Sequence, residues 1–220
     1  RMWDSSAATT TVDATASLYS QDHTAVSGDL YIWGDYVRSS GSDYWSYATD
    51  FDGTALGGSS RQVDVRIATS SSVTLSGGSL EILGASATTT IANQGTGRYA
   101  FNISGGTLNA SHYQVRNTDQ YGINFSGTPS VTSIDYGDLE LGVTGGAMIT
   151  LAGTVIDANA SKQVNYVSFA TSTGIASGFN IVRTGTPISA WTLLNHNGNY
   201  DGESYDSDGG DTCGNVRWSD

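Results

Sequence analysis

The sequence predicts an all-β chain: a right-handed parallel β-helix, or solenoid, with an irregular aromatic-rich N-terminal region and an acidic C-terminal tail. Three observations carry that prediction. Helical periodicity is nearly absent, short runs alternate apolar residues with Ser, Thr, Asn or Asp, and one short template recurs at intervals long enough for a solenoid coil. One domain is expected over residues 1–220, in which 1–60 form a cap or edge region, 61–190 stacked coils, and 191–220 an acidic loop and tail.

The N-terminal region is rich in rings (Trp3, Tyr19, Tyr31, Trp33, Tyr36, Tyr44, Trp45, Tyr47 and Phe51) and only loosely repetitive. A solenoid's terminal coil exposes core and unpaired strand edges, so this region is read as a cap. The competing reading is an aromatic platform for sugars, because rings stack on the apolar faces of pyranoses.

The middle carries the repeat. Four segments share the order apolar, polar, apolar, small, Gly, spacer, apolar: Val73-Thr-Leu-Ser-Gly-Gly-Ser-Leu80, Phe101-Asn-Ile-Ser-Gly-Gly-Thr-Leu108, Ile123-Asn-Phe-Ser-Gly-Thr-Pro-Ser-Val131 and Ile149-Thr-Leu-Ala-Gly-Thr-Val155. A weaker copy is Val26-Ser-Gly-Asp-Leu-Tyr-Ile32. The first apolar positions are 28, 22 and 26 residues apart, enough for one coil of two or three short strands. Stacking the copies predicts an inward column of Leu75, Ile103, Phe125 and Leu151, and a second of Leu80, Leu108, Val131 and Val155. Thr74, Asn102, Asn124 and Thr150 then form an outward polar ladder, since neighbours along a strand face opposite ways. Further strands are expected at Tyr113–Val115, Ile134–Val143 and Val164–Phe169. An antiparallel sandwich is the alternative, but its hairpins favour spacing of about 8–12 residues and need no match between distant segments. Right-handedness follows from the rule for parallel crossovers.

Composition supports an ordered, acidic chain. Leu, Ile, Val and Phe together make just under a fifth of the residues, low enough to raise disorder as a possibility. Twelve Tyr and five Trp add large apolar surfaces, and each coil borrows its neighbours' burial. The net charge of −12, with Lys162 the single lysine, argues against nucleic acid as a partner and suits a hard cation. No stretch approaches the roughly 20 apolar residues of a membrane helix, so no membrane insertion is expected. Abundant Ser, Thr, Gly, Asn and Tyr with scarce lysine point to an extracellular or cell-surface location. The opening Arg1-Met2-Trp3-Asp4 reads as a processed or excised end.

In the tail, Asn197-x-Asn199-x-Asp201-Gly202-x5-Asp208 fits the spacing of a twelve-residue calcium loop. The candidate metal ligands are Asn197, Asn199, Asp201, Glu203 and Asp208, and the candidate cofactor is Ca²⁺. The loop resembles dockerin-like loops, which also close on Asp, although no flanking helices are evident. Asp, Asn and Gly are equally ordinary turn residues, so a solvated loop is the alternative.

Catalytic constellations are sparse. Asn117-Thr118-Asp119 resembles one motif of the polygalacturonase family, but that family's paired Asp-Asp, Gly-His-Gly and Arg-Ile-Lys do not occur here. Hydrolysis of a glycosidic bond needs two carboxyl groups, and Asp119 supplies one. A lyase would need acids beside Arg98, Arg116 or Arg183 on one face. His23, His112 and His196 lack metal-ligand spacing, and Cys213 has no cationic neighbour to activate it. Four sequons, at Asn102, Asn109, Asn124 and Asn159, arise readily in a chain of this composition.

The opening Arg1-Met2-Trp3-Asp4-Ser5-Ser6 resembles the closing Arg217-Trp218-Ser219-Asp220, as expected of a unit in a head-to-tail array. The Ser/Gly/Thr-rich coils over 61–190 and the acidic tail resemble β-helix modules of large secreted bacterial or archaeal surface and adhesin-type proteins. That resemblance implies a non-catalytic structural role in a surface filament, stalk or layer, with further copies of itself as partner. A carbohydrate-binding adhesin, or a polysaccharide lyase or hydrolase of β-helix type, is the alternative.

Overall fold

A computed structural model describes residues 64–84, 88–208 and 214–219 in full, and before them the backbone of seven short strands. The chain forms a parallel β-solenoid, in which each coil lays strands on three faces. The first coil holds β1 (Thr10–Val12), β2 (Ser17–Ser20) and β3 (Thr24–Val26), and the second β4 (Leu30–Ile32), β5 (Asp35–Arg38) and β6 (Asp43–Trp45). The third holds β7 (Thr49–Asp52), β8 (Asp64–Ile67) and β9 (Ser72–Leu75); the fourth, β10 (Ser79–Leu83), β11 (Thr89–Asn93) and β12 (Tyr99–Ile103).

In the next two coils one long strand serves two faces. β13 (Thr107–Val115) and β15 (Ser130–Leu141) each bend from the first face to the second, and β14 (Thr118–Phe125) and β16 (Ala147–Ala152) occupy the third. A short helix, α1 (Gly153–Ala158), precedes β17 (Gln163–Asn165), β18 (Ser168–Thr171) and β19 (Phe179–Thr184). The terminal coil begins with β20 (Trp191–Leu194) and is covered on the first face by β21 (Val216–Ser219). Every strand pair is parallel, and partners are one coil apart in sequence.

The register realises the repeat. Leu75, Ile103, Phe125 and Leu151 are consecutive partners on the third face, and each is at most 1% exposed. By backbone register the weak copy joins them, since Val26 pairs with Trp45 and Trp45 with Leu75. Leu80, Leu108 and Val131 stack likewise on the first face. The second face adds a column of Val65, Ile91, Val115, Leu139 and Phe169. Burying each such side chain stabilises the fold by roughly 1.5–3 kcal/mol relative to leaving it exposed.

Two positions depart from the expected columns. Val155 is buried but lies on α1, so it is not a strand member. Asn159 holds this turn: its Nδ2 donates to the Val155 and Pro129 carbonyls at 2.9 Å, and its Oδ1 accepts from the Val131 amide at 2.8 Å. The outward ladder runs from Thr74 through Asn102 to Asn124, with amide contacts of 3.5 and 3.1 Å. Thr150 is in register with Asn124, yet its hydroxyl turns to the Tyr121 carbonyl at 2.8 Å and the residue is buried.

The bend between the first and second faces carries a left-handed backbone at His112, Tyr136, Tyr166 and Asn195, with φ of 52°, 53°, 58° and 52°. The rings of the first three form a stack: His112 on Tyr136 at 4.5 Å and Tyr136 on Tyr166 at 5.0 Å. Each left-handed non-glycine residue costs on the order of 1–3 kcal/mol, which ring stacking of about 0.5–1.5 kcal/mol per pair offsets in part. Beside the bend, Gly137 is required by close approach, because a Cβ there would lie 2.5 Å from the Tyr113 ring. Higher in the interior, the Phe125 and Trp191 rings meet in a T-shaped contact at 6.3 Å, and the buried indole N–H of Trp191 has no hydrogen-bond partner among the described residues. No helix among the described residues is long and apolar enough to cross a membrane.

Candidate metal centre at the terminal coil

The apolar column on the third face stops at Leu151, whose register partner one coil higher is Arg183. The Arg183 guanidinium donates from Nε to the Asp208 carbonyl at 2.8 Å, and also reaches the Gly185 carbonyl. Below the same segment, fully buried Asn180 donates from Nδ2 to the Tyr200 and Gly202 carbonyls at 2.9 and 2.8 Å. These bonds fix the path of the loop that begins the acidic tail.

From Gly202 the chain makes one 3₁₀ turn, Glu203–Tyr205, and returns to the third face at Ser207. There the Ser207 amide donates to the Ile181 carbonyl at 2.8 Å, and the Ser207 carbonyl accepts from the Arg183 amide at 3.0 Å. Asp206 and Asp208 flank Ser207, so in an extended stretch their side chains share one side. One ligand oxygen from each of Glu203, Asp206 and Asp208 lies within 4.8 Å of the others.

β21 closes over this group. The Trp218 indole N–H donates to Asp206 Oδ2 at 2.7 Å, and the Val216 amide donates to Asp208 Oδ2 at 3.1 Å. Gly214 admits the carboxylate, because a Cβ there would stand 1.7 Å from Asp208 Oδ2. Asp208 is 2% exposed, and its Oδ1 has no hydrogen-bond partner among the described residues. A buried polar atom left unsatisfied costs roughly 1–3 kcal/mol, and more when it is charged. Burial, with repulsion from Asp208 and Glu203 added, pushes the Asp206 carboxyl up to about 6 against the opposing pull of the Trp218 bond.

Of the expected ligands, the structure gathers Glu203 and Asp208 and adds Asp206, which the twelve-residue spacing did not single out. The others have different partners. Asn199 is bonded to Thr171 one coil below, donating from Nδ2 to Oγ1 at 3.0 Å and accepting from the amide at 3.2 Å. Asp201 lies 3.2 Å from His196 Nδ1, and the Asn197 backbone is bonded to Val167 and Phe169. The i, i+2 alternation of Asp206 and Asp208 was the sequence signal available for the acidic group; Asn180 and Trp218 had none.

The remaining candidates are engaged elsewhere. Asp119 sits in a bulge where β14 loses register with β12, accepts from the Tyr121 amide at 2.9 Å, and has its carboxyl pushed up by burial. Arg116 is 3.1 Å from Glu140 and Arg98 donates to the Gly97 carbonyl at 2.9 Å. The sequon residues Asn102, Asn109, Asn124 and Asn159 all spend their amides on neighbouring coils or on α1. His23, Cys213 and the side chains of the proposed N-terminal aromatic platform lie outside the described residues. No protein-family model, curated protein or solved structure matches this chain.

Proposed function

We propose that the chain is a non-catalytic structural module that extends by joining further copies end to end, in a filament, stalk or layer at a cell surface. The observation that carries this reading is the strand order. β1 and β21 are both first-face strands, and each ends its sheet without a further partner strand among the described residues. The Asn215 carbonyl accepts from Trp191 of β20 and the Ser219 carbonyl from Asn195 just after it, so alternation turns Val216 and Trp218 away from β20. The Val216 amide is taken by Asp208, which leaves the Val216 carbonyl and the Trp218 backbone as the edge. Such an edge is a template for another strand, and a head-to-tail contact repeated without closure gives a filament.

The polar side chains support a structural rather than a catalytic role. On the third face they bond coil to coil instead of converging on a cleft, as Thr74, Asn102 and Asn124 do. A net charge of −12 repels copies, so association should need screening. The test is sedimentation velocity with negative-stain electron microscopy at rising concentration, in about 0.15 M salt, where the screening length is about 8 Å. Concentration-dependent linear oligomers are expected, weakened by Arg217→Glu, which places a like charge on the edge. Monomers alone across the range would overturn the proposal.

A further inference from the structure

We infer that Glu203, Asp206 and Asp208 form a binding site for a hard divalent cation, Ca²⁺ in the first instance, that fastens β21 over the terminal coil. Two separate observations carry this. Three carboxylates from six consecutive residues converge within 4.8 Å, and Asp208, only 2% exposed, keeps an oxygen that no group among the described residues satisfies. A buried carboxylate oxygen without a hydrogen-bond donor, such as this one of Asp208, is a ligand that a hard cation takes.

The dimensions suit calcium. Oxygens bound to one Ca²⁺ at about 2.4 Å stand at most about 4.8 Å apart, so the separations among the three groups lie within the range that a shared ion allows. The nearby cation does not fill that role, because Arg183 donates to the backbone carbonyls of Asp208 and Gly185. The two hydrogen bonds already present, Val216 to Asp208 and Trp218 to Asp206, leave further lone pairs on both carboxylates and orient them from the β21 side. An ion seated there joins the 3₁₀ turn, the third-face strand end and β21 through one centre. It would also lower the negative charge at this end of the solenoid, but the inference stands independently of end-to-end assembly.

This ligand set differs from a twelve-residue calcium loop, in which Asn197, Asn199 and Asp201 would converge; here Asn199 belongs to Thr171 and Asp201 to His196. The experiment therefore separates the two. The full chain, freed of metal by chelation, is titrated with Ca²⁺ by calorimetry and with Tb³⁺ by tryptophan-sensitised luminescence, with Mg²⁺ as a parallel arm. Binding of about one ion per chain is expected, with a higher thermal midpoint in Ca²⁺. Asp206→Asn and Asp208→Asn should each weaken binding at least about tenfold, because ligand charge sets affinity, while Asp201→Asn should bind as the parent does. Circular dichroism identifies a variant that fails to fold, and Asp206→Asn, at a half-exposed position, serves where Asp208→Asn does not. Absence of binding at millimolar Ca²⁺ would overturn the inference. So would parental affinity in folded Asp206→Asn, or loss of binding in Asp201→Asn alone.

Discussion

The third face of the central coils and the terminal coil solve the same problem in opposite ways. In the centre, Leu75, Ile103, Phe125 and Leu151 face inward while Thr74, Asn102 and Asn124 bond outside. Each residue has its own counterpart one coil away. One step beyond Leu151 the counterpart is Arg183, and polar groups take over: its guanidinium, the Asn180 amide and the carboxylates of Asp206 and Asp208. A solenoid can repeat an apolar column for as long as another coil follows. At an edge strand, backbone groups that face away from the sheet need other partners. Asp208 supplies one by accepting from the Val216 amide, and the Trp218 ring covers Phe169 edge-on at 5.3 Å.

The comparison can be broken most severely in the column. Phe125→Ala removes a fully buried ring that packs against Trp191 between Ile103 and Leu151, and should destabilise the chain by about 3–5 kcal/mol in denaturant unfolding. A loss under about 1 kcal/mol would mean that the column is not tightly packed. Gly214→Ala attacks the terminal coil instead. The new Cβ would displace the Asp208 carboxylate, with an expected cost of about 1–3 kcal/mol. Hydrogen exchange should then accelerate at residues 216–219 while the central strands stay protected. Uniform acceleration along the chain would show that the two regions unfold as one.

The outward ladder should matter less. Asn102→Ala removes two amide contacts at partly buried positions and is expected to cost about 0.5–1.5 kcal/mol. In a double-mutant cycle with Asn124 the effects should be non-additive, and strict additivity would argue against a connected ladder. The smallest effect is on pH dependence. With its folded carboxyl raised to about 6 by burial and its acidic neighbours, Asp206 takes up a proton in the folded state before the unfolded state does. The folded chain therefore holds more protons between about pH 4 and 6, and stability from this group falls as pH rises through that window. In chelator, the thermal midpoint should be higher at pH 5 than at pH 7 by a margin that Asp206→Asn reduces. An unchanged margin in that variant would assign the effect to other groups.

How far the sequence reached follows from the same contrast. The columns are legible because period-two strands and a Gly-containing bend recur with the same residue types, so segments that match in sequence also stack in space. Val155 was misplaced because Ala152-Gly-Thr-Val reads like the other copies. What makes it helical is Asn159, whose amide answers groups near residue 130 that no local pattern announces. Thr150 keeps its register but not a bond within the ladder, since the bulge carrying Tyr121 offers its hydroxyl a carbonyl. At the tail, reading the acids as a linear loop favoured Asn197, Asn199 and Asp201. The fold instead spends Asn199 and Asp201 locally and brings Asp206 to Asp208, because both flank a residue held on the third face. The ring stack of His112, Tyr136 and Tyr166 is illegible in the sequence for a different reason: its members sit at unequal spacing, and the bend alone aligns them.

Nuclear Overhauser contacts among the side chains of the third-face column test the central claim most directly. Coils stack about 4.8 Å apart, so Phe125 ring protons should show contacts to both Ile103 and Leu151 methyls, and Leu75 to Ile103. Leu75 and Leu151, three coils apart, should show none. Failure of Phe125 to contact either Ile103 or Leu151 would contradict the stacked register on which the whole account is built.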